Sequence, residues 1–247
     1  MGKVIAVASG KGGTGKTTSV AAISSCLAAL GHKTLCIDFD AGLGNLDLAL
    51  GMTDYAVMDY LDVIRGHIGL SDACRQSPLI ENLYFLSAPV NDIPPDEDLS
   101  EAVLNMLNTA RELFDYCIID SPPGIGAGFA LANRNADMSI IVTLGELPAM
   151  SDATRAARAL REMGVLNIRL LVNRVVPSNF GHIRTTIDDV IDSIGVQLIG
   201  IAAEDKCVFR ALHSGIPLVL YKKRVSAYDF LDIAHRITGK DIPLHKS

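Results

Sequence analysis

The chain has 247 residues, of which 49% are hydrophobic and only 5% aromatic, and it carries a formal charge of −6. That length supports one domain with a substantial core, expected to span residues 1–247. The acidic balance argues against the wide basic surface of a nonspecific nucleic-acid binder, so no nucleic acid is expected as a partner. No apolar run reaches the roughly 18 residues of a membrane span, and the start lacks the cationic flank, long apolar stretch and cleavage site of a signal peptide, so the expected location is cytoplasmic.

In chain order the sequence repeats one theme: a short apolar run, a turn, then helical spacing. "KVIAVAS" (3–9) reads as a strand, followed by the loop "SGKGGTGKTT" (9–18) and a helical pattern in "TTSVAAISSCLAAL" (17–30). Further strands are expected at "KTLCID" (33–38), "NLYFLSAP" (82–89), "YCIIDSP" (116–122), "MSIIVT" (138–143), "IRLLVNR" (168–174) and "VQLIGIA" (196–202). Helical spacing recurs in "SEAVLNMLNTARELF" (100–114), "SDATRAARALREM" (151–163), "TTIDDVIDSI" (185–194) and "VSAYDFLDIAHRIT" (225–238). Most of the strands are continuously apolar, as strands buried on both faces are. The alternation predicts an α/β fold: a mostly parallel central sheet with helices on both faces. Ligands of such sheets collect at the carboxyl ends of the strands.

The segment at 88–101, rich in proline and acids, reads as a surface connection, and "KKR" (222–224) as a solvated one. Cys26, Cys36, Cys74, Cys117 and Cys207 are scattered without a CxxC pair, so they are expected in or near the core and not as metal ligands.

The chemistry concentrates at the first loop. Gly10, Gly15, Lys16 and Thr17 satisfy GxxxxGK[ST] between a strand and a helix, the placement in which backbone N–H groups and the positive helix end face an anion. Gly12 and Gly13 allow close approach of the backbone, and Thr14 and Thr18 complete the expected cradle. Lys16 is expected on the β and γ phosphates of ATP and the Thr17 hydroxyl on Mg²⁺. Asp38 ends one strand, Asp40 follows two residues on, and Asp120 ends another strand after the small and apolar run from Tyr116 to Ile119. Alone, each aspartate reads as a cap or turn residue. Beside a phosphate loop they become candidates for metal and water chemistry.

"KGGTGKTT" (11–18) is the deviant Walker A motif. With "IDFDAGLGNLDLALG" (37–51), "DSPPGIGAGF" (120–129), "NIRLLVNRV" (167–175), "TTIDDVIDSIGVQLIGIAAED" (185–205) and "HSGIPLV" (213–219), the chain resembles the MinD/ParA ATPases from residue 1 to about residue 244, and among them the septum-site-determining branch. The resemblance implies the P-loop NTPase fold and a slow, partner-stimulated ATPase that dimerises on ATP and acts on the division site through MinC-like and MinE-like regulators. The alternative is a ParA-like or flagellar-number-type positioning ATPase serving as a nucleotide-gated adaptor. The resemblance assigns Lys11 to the phosphates of the partner subunit, Asp40 to the attacking water, and Asp38 and Asp120 to the Mg²⁺ surroundings. It assigns Asn173 to the adenine edge with Arg174 beside it, and Ala203, Glu204 and Asp205 to the base. Two positions depart from the pattern: Gly44 stands where an arginine is usual, and Ala203 where a proline is. These ATPases continue past the final "PL" into a lipid-binding amphipathic helix. Here only "HKS" follows Leu244, so this chain alone is not expected to bind lipid, and the inner face of the plasma membrane would be reached through a partner.

Overall fold

The computed structural model describes residues 1–41, 44–53, 58–90, 98–176, 186–221 and 225–244. The elements run β1 (Lys3–Ala8), α1 (Lys16–Ala29), β2 (Thr34–Asp38), α2 (Leu46–Leu50), α3 (Tyr60–Ile64), α4 (Leu70–Ala73), β3 (Arg75–Gln76), β4 (Leu83–Leu86), α5 (Ser100–Leu113) and β5 (Tyr116–Asp120). They continue with α6 (Ala127–Asn133), β6 (Met138–Thr143), α7 (Leu147–Glu162), β7 (Ile168–Val175), α8 (Ile187–Ile194), β8 (Leu198–Ala203), α9 (Lys206–Ser214), a 3-10 turn at Leu218–Leu220 and α10 (Val225–Ile237).

The strands form one eight-stranded sheet in the order β3-β4-β2-β5-β1-β6-β7-β8. Every neighbouring pair is parallel except β3 with β4 at the edge. β2 and β5 are buried along their whole length, and β1 is buried from Val4 onward, which is why their sequences are continuously apolar. Successive side chains still alternate between faces: Ile5, Val7 and Cys36 join one core with α1 and α10, whereas Val4, Ala6, Leu35 and Ile37 join another with α5. A third core packs α7 and α8 against Ile141, Leu170 and Val172. Helices therefore cover both faces, as the alternation of elements predicts.

All the strands read from the sequence are present. β3 was not expected, because two polar residues carry no period. The short α2, α3, α4 and α6 and the longer α9 were also missed. For two of them the signal is a cap: Asp59 and Asp62 form a reciprocal capping box on α3, and Asp205 caps α9, which ends on left-handed Gly215. α7 begins at Leu147 and not at Ser151, because Pro148 sits in its first turn, where a missing N–H costs nothing. All five cysteines are buried. The 222–224 run, the central part of the 88–101 connection and the final "HKS" lie outside the described residues. Among the described residues no helix is long and apolar enough to cross a membrane.

The loop after α2 touches the loop after α9 backbone to backbone. Gly51 has φ +68°, and a Cβ built on it would lie 2.0 Å from the Gly215 carbonyl oxygen. Gly51→Ala should therefore lower the unfolding free energy by about 2 kcal/mol or more, as both left-handed backbone and a backbone clash are imposed. Urea denaturation measures this, and Gly31→Ala, positive in φ but with nothing within 4 Å of a Cβ, should cost less.

Candidate nucleotide site

The site lies at the carboxyl ends of β1, β2, β5 and β7. β1 ends at Ala8 and the chain enters α1 at Lys16 through a loop whose last residue, Gly15, is left-handed (φ 86°, ψ 25°). No side chain caps this helix. Its first N–H groups are consequently left to face an anion. Gly12 and Gly13 have open space where a Cβ would stand, while Gly10 and Gly15 are required by contact. A Cβ on Gly10 would meet the Asp152 carbonyl oxygen at 2.2 Å, and one on Gly15 would meet Asn173 Nδ2 at 2.3 Å. Asn173 Nδ2 donates to the Thr14 carbonyl at 2.9 Å, tying the end of β7 to the loop. The buried Thr14 hydroxyl has no partner among the described residues.

Lys16, the first residue of α1, is buried and pairs with buried Asp120. Parallel pairing places Asp38 of β2 level with Asp120 of β5. Burial raises the Asp38 carboxyl, with the charge of Asp120 adding to the effect, to about 7, although the Asp40 and Leu46 amides and Lys16 pull the other way. Burial likewise raises Asp120, opposed first by Lys16 and also by hydrogen bonds from Lys16 and the Thr17 hydroxyl. The Asp38 Oδ1 accepts from the Asp40 amide at 2.9 Å, which fixes the turn that carries half-buried Asp40. The second oxygen of Asp120 is buried without a partner among the described residues. Among the described residues no group of three or more His, Cys, Asp or Glu side chains could hold a metal alone. A hard divalent cation here would draw on a hydroxyl, water and phosphate oxygens, the donor set Mg²⁺ favours. Lys11 is half-buried with its carbonyl bonded to the Ser9 hydroxyl at 2.9 Å, and among the described residues its ammonium pairs with no carboxylate.

A cleft of about 610 Å³ opens beside the loop, lined by Gly13, Thr18, Asn173, Arg174, Ala203 and Glu204 among others. Arg174, with φ +56°, makes a two-pronged ion pair with Glu204 at 2.7 and 3.4 Å. Both oxygens of Asp205 are engaged, by Cys207 N at 2.8 Å and the Ser226 hydroxyl at 2.9 Å, so its side chain serves the wall and only its backbone is left for a ligand.

A family model described as AAA domain matches residues 2–166. The chain is 38% identical to the septum site-determining protein MinD of Synechocystis sp. over 98% of its own length and 92% of that protein's. The chain belongs to the MinD family. It superposes on the MinC:MinD cell division protein complex of Aquifex aeolicus with TM-score 0.90 and 34% identity, covering 99% of this chain and 98% of that one. It also matches the Pyrococcus horikoshii MinD complexed with Mg-ADP, with TM-score 0.81 and 29% identity over 96% of each chain.

In this member of the MinD family the glycine at 44 is in contact with the site, since a Cβ there would lie 2.5 Å from Asp38 Oδ2. A larger residue at 44 requires the aspartate or the backbone to shift. Sequence reasoning missed Phe209 and Phe230, which also line the cleft, because an aromatic at helical spacing reads as core. It also missed the buried chain from Ser139 Oγ to Asn133 Oδ1 (2.9 Å) and from Asn133 Nδ2 to Ser121 Oγ (3.3 Å), which props the residue after Asp120.

For Asp205, burial acts to raise the carboxyl, but hydrogen bonds from Cys207 and Ser226 outweigh it and leave the group below its ordinary value. The stability it contributes is present above the ordinary carboxylate range and lost as pH falls through the lowered folded value. Asp205→Ala should therefore cost about 1–2 kcal/mol at pH 7 through the lost cap. Denaturation at several pH values checks this: the gap to the parent should shrink as pH falls below the carboxylate range.

Proposed function

We propose that this chain is one ATPase domain that binds and hydrolyses MgATP at the loop of residues 9–18 and dimerises on ATP to regulate division-site placement. The observation that carries the reading is the uncapped, left-handed entry into α1 beside the buried Lys16–Asp120 pair, with Asp38 level with it on the next strand. A preformed set of donors and buried charges at one helix end is what a nucleotide triphosphate requires. The match to the Mg-ADP complex of the Pyrococcus horikoshii protein supports the same ligand here.

Placement supports the following roles. Backbone N–H groups from Gly12 to Thr18 cradle the phosphates, and Lys16 turns from Asp120 toward the β and γ oxygens. The Thr17 hydroxyl would hold Mg²⁺, with Asp38 and Asp120 placed to accept hydrogen bonds from water around it. The ion would supply positive charge against the charge that develops on the phosphates. Asp40, held by its amide on Asp38, orients the attacking water. Asn173 has hydrogen-bonding capacity beyond its bond to Thr14 and faces the base with the wall from Ala203 to Asp205. Lys11, at the loop's rim, crosses to the partner subunit's phosphates. Two triphosphates buried face to face repel strongly, and a cation from each side offsets that repulsion. The MinC:MinD complex of Aquifex aeolicus supports a MinC-like regulator for the dimer, and a MinE-like stimulator of hydrolysis completes the proposal.

Sedimentation and turnover with Mg²⁺ and ATP test the reading. Lys11→Ala should still bind ATP, yet lose the ATP-induced dimer and hydrolysis. An unchanged dimer in that variant overturns the role of Lys11. Asp40→Ala should bind and dimerise but hydrolyse about 100-fold more slowly, the loss expected when a water-orienting group acts mainly in the transition state. Parent-like turnover would make Asp40 a turn residue only.

A further inference from the structure

The wall of the cleft that runs from Ala203 to Asp205 stands where the sheet can hold it least. β8 is an edge strand of the described sheet, and its pairing with β7 shifts register between Leu170 and Leu171 and again between Val172 and Val175. The second shift contains Arg174 with its positive φ. An edge strand also leaves the N–H groups of its outer side without a ladder partner. Glu204 N turns inward to the Val175 carbonyl at 2.9 Å. The Ala203 N–H takes its acceptor from outside the sheet: Asp229 Oδ2 on α10, at 2.9 Å.

A second tie comes from the same helix. Ser226 and Asp229 are three residues apart on α10 and so share a face. The Ser226 hydroxyl, fully buried, donates to Asp205 Oδ2 at 2.9 Å. Both ends of the wall are thereby bonded to one helical turn, and the residue after Asp229, Phe230, is buried and lines the cleft. α10 packs against both α1 and β8. The helix that starts at the phosphate loop and the strand that ends at the wall are thus referenced to one body.

We propose that Asp229, seconded by Ser226, is a positioning residue for base recognition: its carboxylate on the Ala203 amide sets the distance of the wall from Asn173 across the cleft. This rests on the reading of the cleft as the nucleotide-base site. The bond from Asp229 acts on the wall and not on the loop of residues 9–18. Its effect should fall on the base and spare the triphosphate. Losing the acceptor leaves a half-buried amide unpaired, and the wall relaxes toward solvent to satisfy it.

Calorimetric binding of ATP, GTP and inorganic tripolyphosphate, each with Mg²⁺, to the full chain and its variants tests this. Asp229→Ala should bind ATP about tenfold more weakly and discriminate less between ATP and GTP, with tripolyphosphate changed by less than about twofold. Asp229→Asn keeps an acceptor oxygen and should stay close to the parent. Ala203→Pro removes the N–H that needs Asp229. It breaks no ladder bond, since that N–H is not in the ladder, and it suits an edge strand whose preceding residue is extended. Placed on Asp229→Ala, it should restore most of the ATP affinity, a rescue that a lost folding contact would not show.

Parent-like ATP affinity in Asp229→Ala, or equal weakening of ATP and tripolyphosphate, overturns the positioning role while leaving the cleft's assignment standing. A parent that binds ATP no more tightly than tripolyphosphate overturns the assignment of the cleft to the base, and the role of Asp229 with it.

Discussion

The ion pair between Lys16 and Asp120 is the constraint on which the site depends. Both groups are out of solvent, and Asp38 lies level with Asp120 on the neighbouring strand. Removing charges from water costs several kcal/mol per ion unless they are paired and hydrogen-bonded. With one lysine against two aspartates, pairing is incomplete: burial, and then the charge of Asp120, push Asp38 up to about 7, and one oxygen of Asp120 has no partner among the described residues. Such a deficit of positive charge is what a divalent cation relieves. The same lysine is the first residue of α1, so the geometry of the loop and that of the pair cannot change independently.

Around that pair, the loop is held by contacts from strands and helices distant in sequence. Gly10 lies against the backbone of α7 at Asp152, and Asn173 grips the Thr14 carbonyl. The Gly124 amide reaches the Ser9 carbonyl at 3.2 Å, linking the segment after Asp120 to the start of the loop. The loop of residues 9–18, the end of β7 and the turn after β5 are therefore mechanically continuous. In a site of this kind a change in ligand at one end is felt at the others, because packed interiors do not deform smoothly.

The relation to the MinD family agrees with this economy of parts. The chain keeps the fold over nearly its whole length while only about a third of its residues are identical to those of the Aquifex aeolicus protein. Gly44 and Ala203 are each fitted to a local neighbour: the Asp38 carboxylate in one case and the Asp229 carboxylate in the other.

The strands and most of the longer helices were legible because burial on both faces writes continuous apolar runs and burial on one writes a 3.6-residue period. The phosphate loop was legible because its glycines, Lys16 and Thr17 act through local backbone geometry, and local geometry is encoded locally. The short α2, α3, α4 and α6 were not, since a helix of a turn or two has no period to read. Nor were the pairs that join distant segments: Lys16 with Asp120, Asn173 with Thr14, Asp229 with Ala203. Each of these residues alone is compatible with a cap, a turn or a solvated face. Parallel register and the packing of α10 on β8 decide otherwise, because only they bring groups a hundred or more residues apart, such as Lys16 and Asp120, into hydrogen-bonding distance.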